Sequence, residues 1–422
     1  MHLPITLLTA LPLWLPAINA YTPLSESFLR AIPSPGNAFD IDQASNGSLL
    51  APLLIPRVPG TPGQKAAQAH LYNYFQTALP LWNVTWQNST STTPATGTQQ
   101  IPFANLIVRR EPPWAQPGGT NFLTLVAHYD SKRAPEGFIG ATDSAAPCAM
   151  LMWAAAVLDK YLTQMYTEMS ALGEGGDDLA MDMGIQLLFL DGEEAFMHWT
   201  DTDSLYGARS LATQWTMSPN PRPHHKFYKY RTPLQQISLF VLLDLLGAKE
   251  PRVPSYMPTT HWAYKALAGV EKRLRGFNLL ESSSSSKRDG GETLAFLPDG
   301  ESDTARARTA RISDDHLPFI HKGVETLHLI PSPFPDVWHT SNDDGEHLDL
   351  ATVRDWAKIV VGFVGEWLDL MEVWTEPEGE GQGQEEATSG NDKETMEKES
   401  TEGGKASFAE RRRSFLTSSF PP

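Results

Sequence analysis

Short apolar runs alternate with longer amphipathic stretches along most of this chain. Four runs have strand length, namely FLTLVAH (122–128), IQLLFL (185–190), ISLFVLL (237–243) and TLHLI (326–330). Apolar residues at helical spacing predict helices over residues 63–79, 147–162, 262–274 and 351–373. Near-continuous apolar strands between helices indicate parallel strands buried on both faces. The predicted fold class is α/β, a single globular domain with a central mixed, mostly parallel β-sheet flanked by helices.

The N-terminus differs from this core. Residues 3–18 are apolar and are followed by Asn19 and Ala20, with the small residues that precede a cleavage site. This pattern predicts a secretory signal peptide over residues 1–20. A retained signal-anchor that holds the protein in the Golgi is the alternative, and no other segment is expected to span a membrane. Three N-glycosylation sequons begin at Asn46, Asn83 and Asn88, in agreement with secretion.

The remaining chain divides by composition. The catalytic domain is expected over residues 21–374, with insertions near 168–182 and 282–311, the second of them a long surface loop. A Glu-, Gly- and Ser-rich stretch over 375–422 predicts a disordered acidic tail. The formal charge of −17 argues against nucleic acid and anionic membranes as partners. The tail carries much of that charge, so a basic partner does not follow from it.

Acids and histidines gather where the predicted strands end. They lie in His128-Tyr129-Asp130, Asp191-Gly192-Glu193-Glu194, Asp244, Asp314-Asp315-His316 and Trp338-His339. In open α/β sheets, sites form beyond the carboxyl ends of the strands, so we expect one buried cluster. Carboxylates can be buried at low cost when a cation neutralises them. One histidine with two carboxylates suits a catalytic zinc site, whereas calcium avoids histidine.

Seven blocks in order resemble the glutaminyl-peptide cyclotransferases (glutaminyl cyclases), which share their fold with zinc aminopeptidases of the M28 type. The blocks are AHYDSK (127–132), ATDSAAPCAM (141–150), DGEEAF (191–196), DSLYGAR (203–209), LLDLLGA (242–248), DDHLPF (314–319) and HLIPSPFPDVWHT (328–340). A weaker block, RVPGTPG (57–63), extends the resemblance upstream. Together the blocks cover roughly residues 57–349.

The resemblance implies a ligand set and an acid/base group. One Zn²⁺ per chain would be held by Asp143, Glu194 and His339. Glu193 would act as the general acid/base. Asp244 and Asp314 would form a second, mutually hydrogen-bonded pair of catalytic acids.

The resemblance also implies a substrate pocket lined by Trp199, Phe334 and Trp338, with the Trp338 indole N–H donated to the substrate. His128 and Asp244 occupy positions that hold a second zinc in two-metal aminopeptidases. In cyclases these positions hold no metal, so His128 is expected to support the zinc ligands from behind. His316 and His328 receive no role, and Asp191 is expected to accept structural hydrogen bonds.

In the implied reaction the N-terminal glutamine, or glutamate, of a peptide or protein closes into pyroglutamate. The enzyme is expected to be a monomer. Many secreted cyclases pair the cysteine of the ATDSA block with a residue that is Ala127 here, so Cys148 is left unpaired. A zinc aminopeptidase is the first alternative function. A non-catalytic peptidase-like scaffold is the second, and the intact ligand and base positions disfavour it.

Overall fold

The computed structural model describes residues 23–171, 182–221, 230–282, 294–305 and 312–373. The predicted signal peptide, the predicted tail and parts of both predicted insertions lie outside the described residues, and they stay predictions.

Six strands form one mixed sheet in the spatial order β1-β2-β4-β3-β5-β6. The strands are β1 Asn83–Ser91, β2 Ile101–Arg110, β3 Asn121–His128, β4 Met183–Leu190, β5 Ile237–Leu243 and β6 Thr326–Leu329. β4, β3, β5 and β6 run parallel to one another, and β1 and β2 join antiparallel. The predicted single α/β domain with a mixed, mostly parallel sheet is confirmed, and all four predicted strands lie within two residues of their predicted bounds.

The β1–β2 hairpin was not predicted. β1 reads NVTWQNSTS and is half exposed along its length, because it forms the edge of the sheet. A polar edge strand has no apolar run to reveal it. β2, IPFANLIVRR, is mostly buried, but Pro102, Asn105 and the two terminal arginines interrupt its apolar run, so its signal is weak.

Seven helices cover the sheet in the described residues. They are α1 Glu26–Ala31, α2 Pro62–Ala78, α3 Ala146–Ala171, α4 Tyr206–Met217, α5 His261–Gly276, α6 Leu317–Ile320 and α7 Leu350–Trp367. α3 runs nine residues beyond the predicted end, and α7 ends earlier than predicted, before a short 3₁₀ turn at Leu370–Val373. α4 was not predicted.

Two apolar clusters cover opposite faces of the sheet. On one face α2, α3, α5 and α7 pack over alternate residues such as Leu239 and Val241 of β5. On the other, α4 and α6 pack over Phe240 and Leu242. Because successive strand residues point to opposite faces, both sets are buried, and the strands read as continuous apolar runs.

One expectation about an individual segment was wrong. The predicted surface loop over 282–311 has a buried part, since the Phe296 side chain is 2% exposed and stacks on Trp356 with ring centroids 5.5 Å apart. The backbone N–H groups of Phe296 and Leu297 donate to the Glu271 carboxylate. The helical stretch Ala141–Ala171 is long and apolar enough to cross a membrane, but 94% of its most apolar window is buried inside the fold, so this result does not contradict the expectation that only the leader could span one.

Candidate active site

The parallel strands carry their polar residues to one edge of the sheet. His128 ends β3, Glu193 and Glu194 follow β4, and Asp244 follows β5. Asp143 lies in the one-turn π-helix Ala141–Ala145 that leads into α3. All five side chains belong to buried residues. The strand-end rule therefore predicted this cluster correctly.

Asp143, Glu194 and His339 form a three-ligand corner. Nε2 of His339 lies 3.4 Å from Asp143 Oδ2 and 3.4 Å from Glu194 Oε1. Ligand bonds of about 2.0–2.1 Å at tetrahedral angles place neighbouring ligand atoms roughly 3.3–3.4 Å apart. Glu194 Oε1 is buried and has no hydrogen-bond partner, which is costly unless a cation takes it. The three residues therefore fit a zinc ion.

Charge within this corner agrees with its geometry. Burial acts to lower the pKa of His339, but the Asp143 and Glu194 carboxylates outweigh burial and raise it to about 9. Burial would raise the pKa of Asp143, but His128 and His339 hold it below its ordinary value. Burial and the nearby Asp143 charge raise the pKa of Glu194. Two carboxylates are thus crowded around one imidazole, an arrangement that a divalent cation would relieve.

Asp130 fixes the direction of the peptide that carries both glutamates. Its Oδ1 accepts from the Glu193 N–H at 3.0 Å, and its Oδ2 accepts from the Glu194 N–H at 3.2 Å. Neighbouring residues of an extended segment point to opposite sides, so Glu193 and Glu194 diverge. Lys132 Nζ lies 3.5 Å from Glu194 Oε2, the oxygen that faces away from His339. The lysine leaves Oε1 as the available ligand atom.

His128 forms a second corner with Asp143 and Asp244. Its Nε2 lies 2.9 Å from Asp143 Oδ1, a hydrogen-bond distance, and 3.6 Å from Asp244 Oδ1. Asp244 Oδ1 also accepts hydrogen bonds from the Ser144 hydroxyl and the Leu245 N–H. This corner is closed by hydrogen bonds, which favours a supporting function for His128 over a second metal.

Glu193 lies beside the ligand corner and outside it. Burial raises the pKa of its carboxyl well above the ordinary value, and the nearby charges of Glu194 and Asp314 raise it further against the opposing effect of His128. Burial and the Asp314 charge also raise the pKa of Asp244, to about 6. A carboxyl with a raised pKa is suited to take up and return a proton near neutral pH.

Asp314 and Asp244 have different partners. His328 Nε2 lies 2.7 Å from Asp314 Oδ2, and this contact outweighs burial and lowers the pKa of Asp314. The Asp315 N–H donates to Asp314 Oδ1. Among the described residues, no hydrogen bond joins Asp314 to Asp244, contrary to expectation. The two carboxyls affect each other through charge, and His328 acquires a contact that the sequence did not assign.

A cavity of about 250 Å³ opens onto these groups. Its lining includes Asp143, Glu193, Asp244 and His339 together with all three predicted pocket aromatics, Trp199, Phe334 and Trp338. Trp338 stacks on His339 with ring centroids 3.9 Å apart, and Phe334 meets Trp338 edge-on. Leu245, Ile312, Ser313 and Ile330 complete the lining and were missed. Leu245 and Ile330 lie inside quoted motifs and Ile312 and Ser313 directly precede one, but none of the four is an acid or a histidine that would mark a site. The volume is below the ~300–1,000 Å³ of drug-sized sites and suits one amino-acid residue.

Asp191 supports the site from behind. Its Oδ2 accepts from Gln64 Nε2 at 2.5 Å and from the Ala104 N–H at 2.7 Å, so it is the structural acceptor that was expected. Gly192 follows with a φ of 71°, and a Cβ there would lie 2.4 Å from the Phe103 ring. Only glycine fits this turn between Asp191 and the two glutamates.

Comparison with known proteins agrees with this geometry. The sequence pattern of peptidase family M28 matches residues 105–364. The glutaminyl-peptide cyclotransferase of Gloydius blomhoffii is 38% identical over 326 residues, which span 76% of this chain and 80% of that protein. The glutaminyl-peptide cyclotransferase-like protein of Bos taurus is 36% identical over 76% of this chain and 75% of its own length.

A solved structure gives the same result. The crystal structure of Macrostomum lignano glutaminyl cyclase superposes with a TM-score of 0.65 at 28% identity, covering 82% of this chain and 94% of that one. The 36–38% identity to the two cyclotransferases over most of both chains, with the match to the M28 pattern, establishes a common family. The chain therefore belongs to the glutaminyl-peptide cyclotransferases, acyltransferases within peptidase family M28.

Proposed function

We propose that this protein cyclises the N-terminal glutamine of peptides or proteins to pyroglutamate and releases ammonia, with one zinc ion held by Asp143, Glu194 and His339. The observation that carries the proposal is that two adjacent glutamates occupy different positions in the site. Glu194 belongs to the ligand corner, while Glu193 lines the cavity outside that corner. A proton carrier beside a space for about one residue suits the intramolecular attack of a bound glutamine.

Zinc, when bound, would act as a Lewis acid that polarises the γ-amide carbonyl of the substrate. The attacking α-amine has an unperturbed pKa of about 7.7–8.0, so much of it arrives protonated. Glu193, as the carboxylate, takes this proton and frees the nitrogen lone pair. The nitrogen then bonds to the γ-amide carbon, and Glu193 passes the first proton to the amide nitrogen. As the carbon–nitrogen bond breaks, Glu193 takes the second proton from the ring nitrogen, and the departing ammonia takes up that proton as ammonium.

The pocket aromatics hold the glutamine side chain folded back on its own amine. Trp199, Phe334 and Trp338 line the cavity on which Glu193 and Asp244 open. Because the attack is intramolecular, fixing this bent conformation supplies a large share of the rate. We assign the Trp338 indole N–H as a donor to the bound substrate. Asp244, which lines the cavity, and Asp314 are assigned as further catalytic acids, and N-terminal glutamate is proposed as a second substrate.

The test of mechanism is Glu193→Gln, with Glu325→Gln, an exposed acid next to β6, as the matched control. We expect Glu193→Gln to retain zinc by metal analysis and to lower kcat for a Gln-initiated peptide by about 10²–10⁴-fold. The control should behave as wild type. Near-normal turnover in Glu193→Gln would refute the assignment of the base.

A zinc aminopeptidase is the second candidate, because the His128 corner occupies the place of a second metal. Ammonia release from a Gln-initiated peptide is measured beside amine release from leucine amide. Cleavage of leucine amide without cyclisation of the peptide would replace our proposal with this one. Neither activity, in protein with zinc bound, would favour a non-catalytic scaffold.

We also propose that the chain is a monomer that acts in the secretory pathway and is glycosylated there. The apolar leader and the three sequons support this route. The asparagines of all three sequons are exposed in the fold, as glycan acceptors must be. Detection of the protein in culture medium, against retention in the Golgi, tests cleavage of the leader against a signal-anchor.

A further inference from the structure

A second cavity is lined in part by residues that contact Asp191 and Gly192, the turn before the active-site glutamates. It has a volume of about 490 Å³ and is lined by Gln64, Lys65, Gln68, Asn88, Ser89, Thr90, Pro102, Phe103 and Ala104. The lining therefore joins the first turns of α2 to the β1–β2 hairpin. It contains none of the groups assigned to catalysis.

One complete glycosylation sequon, Asn88-Ser89-Thr90, forms part of the cavity wall. Asn88 is exposed, and its side-chain amide makes no hydrogen bond to any residue that the structure describes. The other sequon of the same strand begins at Asn83, which is exposed but lies outside the cavity. The two asparagines are five positions apart, so their side chains point to opposite faces of β1.

The cavity chemistry suits a sugar. Lys65 is exposed and offers an ammonium, and Gln68 and the hydroxyls of Ser89 and Thr90 offer further polar groups. Pro102 adds an apolar surface for a ring face. The volume lies within the ~300–1,000 Å³ that accommodates small ligands. We propose that Asn88 is N-glycosylated and that the first N-acetylglucosamine of its glycan lies in this cavity, a proposal that rests on the secretory route above.

The position of the sugar has a structural consequence. Gln64 donates to Asp191, the Ala104 N–H donates to the same carboxylate, and the Phe103 ring lies against Gly192. A sugar packed on these three residues braces the turn that leads to Glu193. The glycan at Asn83 has no such neighbours and projects into solvent.

The experiment uses the full chain secreted from a eukaryotic host. Peptide-N-glycosidase in H₂¹⁸O marks each occupied asparagine for mass spectrometry. After denaturation we expect label at both Asn83 and Asn88, with Asn88 also occupied in Thr90→Ser but not in Thr90→Ala. Under native conditions we expect the glycan on Asn83 to be cut and the one on Asn88 to be protected at least 10-fold. An unoccupied Asn88 beside an occupied Asn83, or equal cleavage rates, would overturn the proposal.

Stability gives an independent measurement. Asn88→Gln made in the secreting host should unfold about 2 °C or more below wild type, and Asn83→Gln should not. The same two variants made in a bacterium, without glycans, should unfold at the same temperature as wild type made in that bacterium. A loss for Asn88→Gln in both hosts would assign the effect to the side chain and contradict the brace. If the native leader fails to export the chain, a host signal peptide replaces it. Failure of the native leader to export the chain counts against the secretory route. An unoccupied Asn88 in protein exported by the host signal peptide counts against the proposed glycan.

Discussion

Arg57 is a buried cation whose removal should destabilise the protein severely. Its side chain is fully buried, and its guanidinium donates to six backbone carbonyls. The acceptors are Leu53, Ile55, Tyr129, Asp130, Ile139 and Gly140. Arg57 thus ties the segment before α2 to the end of β3 and to the turn that precedes Asp143. We take Arg57→Met as the perturbation because it keeps much of the volume and removes every donor.

The expected loss follows from the carbonyls left behind. An unsatisfied buried polar group costs about 1–3 kcal/mol. If water reaches half of the six, the remaining three cost roughly 3–9 kcal/mol. The guanidinium no longer has to be desolvated, which offsets part of this cost. We therefore expect the free energy of unfolding to fall by roughly 2–6 kcal/mol, the upper part of which is seen only for a short list of structural defects. Arg57→Lys keeps the charge with fewer donors and should lose less.

The assay is urea unfolding of zinc-loaded protein followed by tryptophan fluorescence, with the midpoint and slope fitted together. Arg30→Met, which removes an exposed arginine whose contacts with Glu26 and Phe277 lie at the surface, is the matched control and should change stability by less than about 0.5 kcal/mol. A loss below about 1 kcal/mol for Arg57→Met would show that water or repacking satisfies the carbonyls. The argument from six buried acceptors would then fail.

Three further outcomes are expected. Lys132→Met should weaken zinc binding about 10-fold in chelator competition, because Glu194 Oε2 loses its partner. Arg133→Met changes the exposed neighbouring residue and should leave zinc affinity unchanged. Equal zinc affinities of Lys132→Met and wild type would show that Lys132 does not position the ligand. Metal analysis should find one zinc per chain, since the His128 corner is closed by hydrogen bonds, and two equivalents at full activity would contradict this. Burial, opposed by Arg273, raises the pKa of Glu366 from 4.5 to about 7, so its protonated form stabilises the fold below pH 4.5 and this contribution is lost as the pH rises through 7. Glu366→Gln should therefore gain up to about 3 kcal/mol relative to wild type between those two pH values in urea unfolding, and a constant difference would refute the shift.

The sequence predicted the parts of the fold that depend on continuous burial. β5 has the predicted bounds because every residue from Ile237 to Leu243 faces one of the two apolar clusters or their margin. β1 could not be predicted in this way, since an edge strand exposes one side and breaks the apolar run. α3 was predicted too short because polar residues such as Gln164 and Glu168 interrupt its last nine residues, where tertiary packing sustains the helix.

Part of the candidate site could also be predicted from the sequence, and part could not. The ligand corner could be predicted, because its residues follow strand ends and lie in motifs that resemble a known family. The contacts that orient it could not. Asp130 accepts two backbone N–H groups, and Lys132 contacts one oxygen of Glu194, both through loop geometry that no periodicity encodes. The expected hydrogen bond between Asp244 and Asp314 is replaced by separate partners, Ser144 and His328, that are distant in sequence.

The single cysteine has a practical consequence. Cys148 is buried at the start of α3, where its thiol donates to the His128 carbonyl at 3.2 Å, and burial raises its pKa to about 12. A thiol held in the neutral form is a poor nucleophile and resists oxidation. Because the sequence has one cysteine, no disulfide can form within it, and the fold does not depend on the redox potential of its surroundings. We expect the chain to fold in the reducing cytoplasm of a bacterium, and to keep its unfolding temperature in millimolar thiol reductant, as no disulfide-dependent enzyme would.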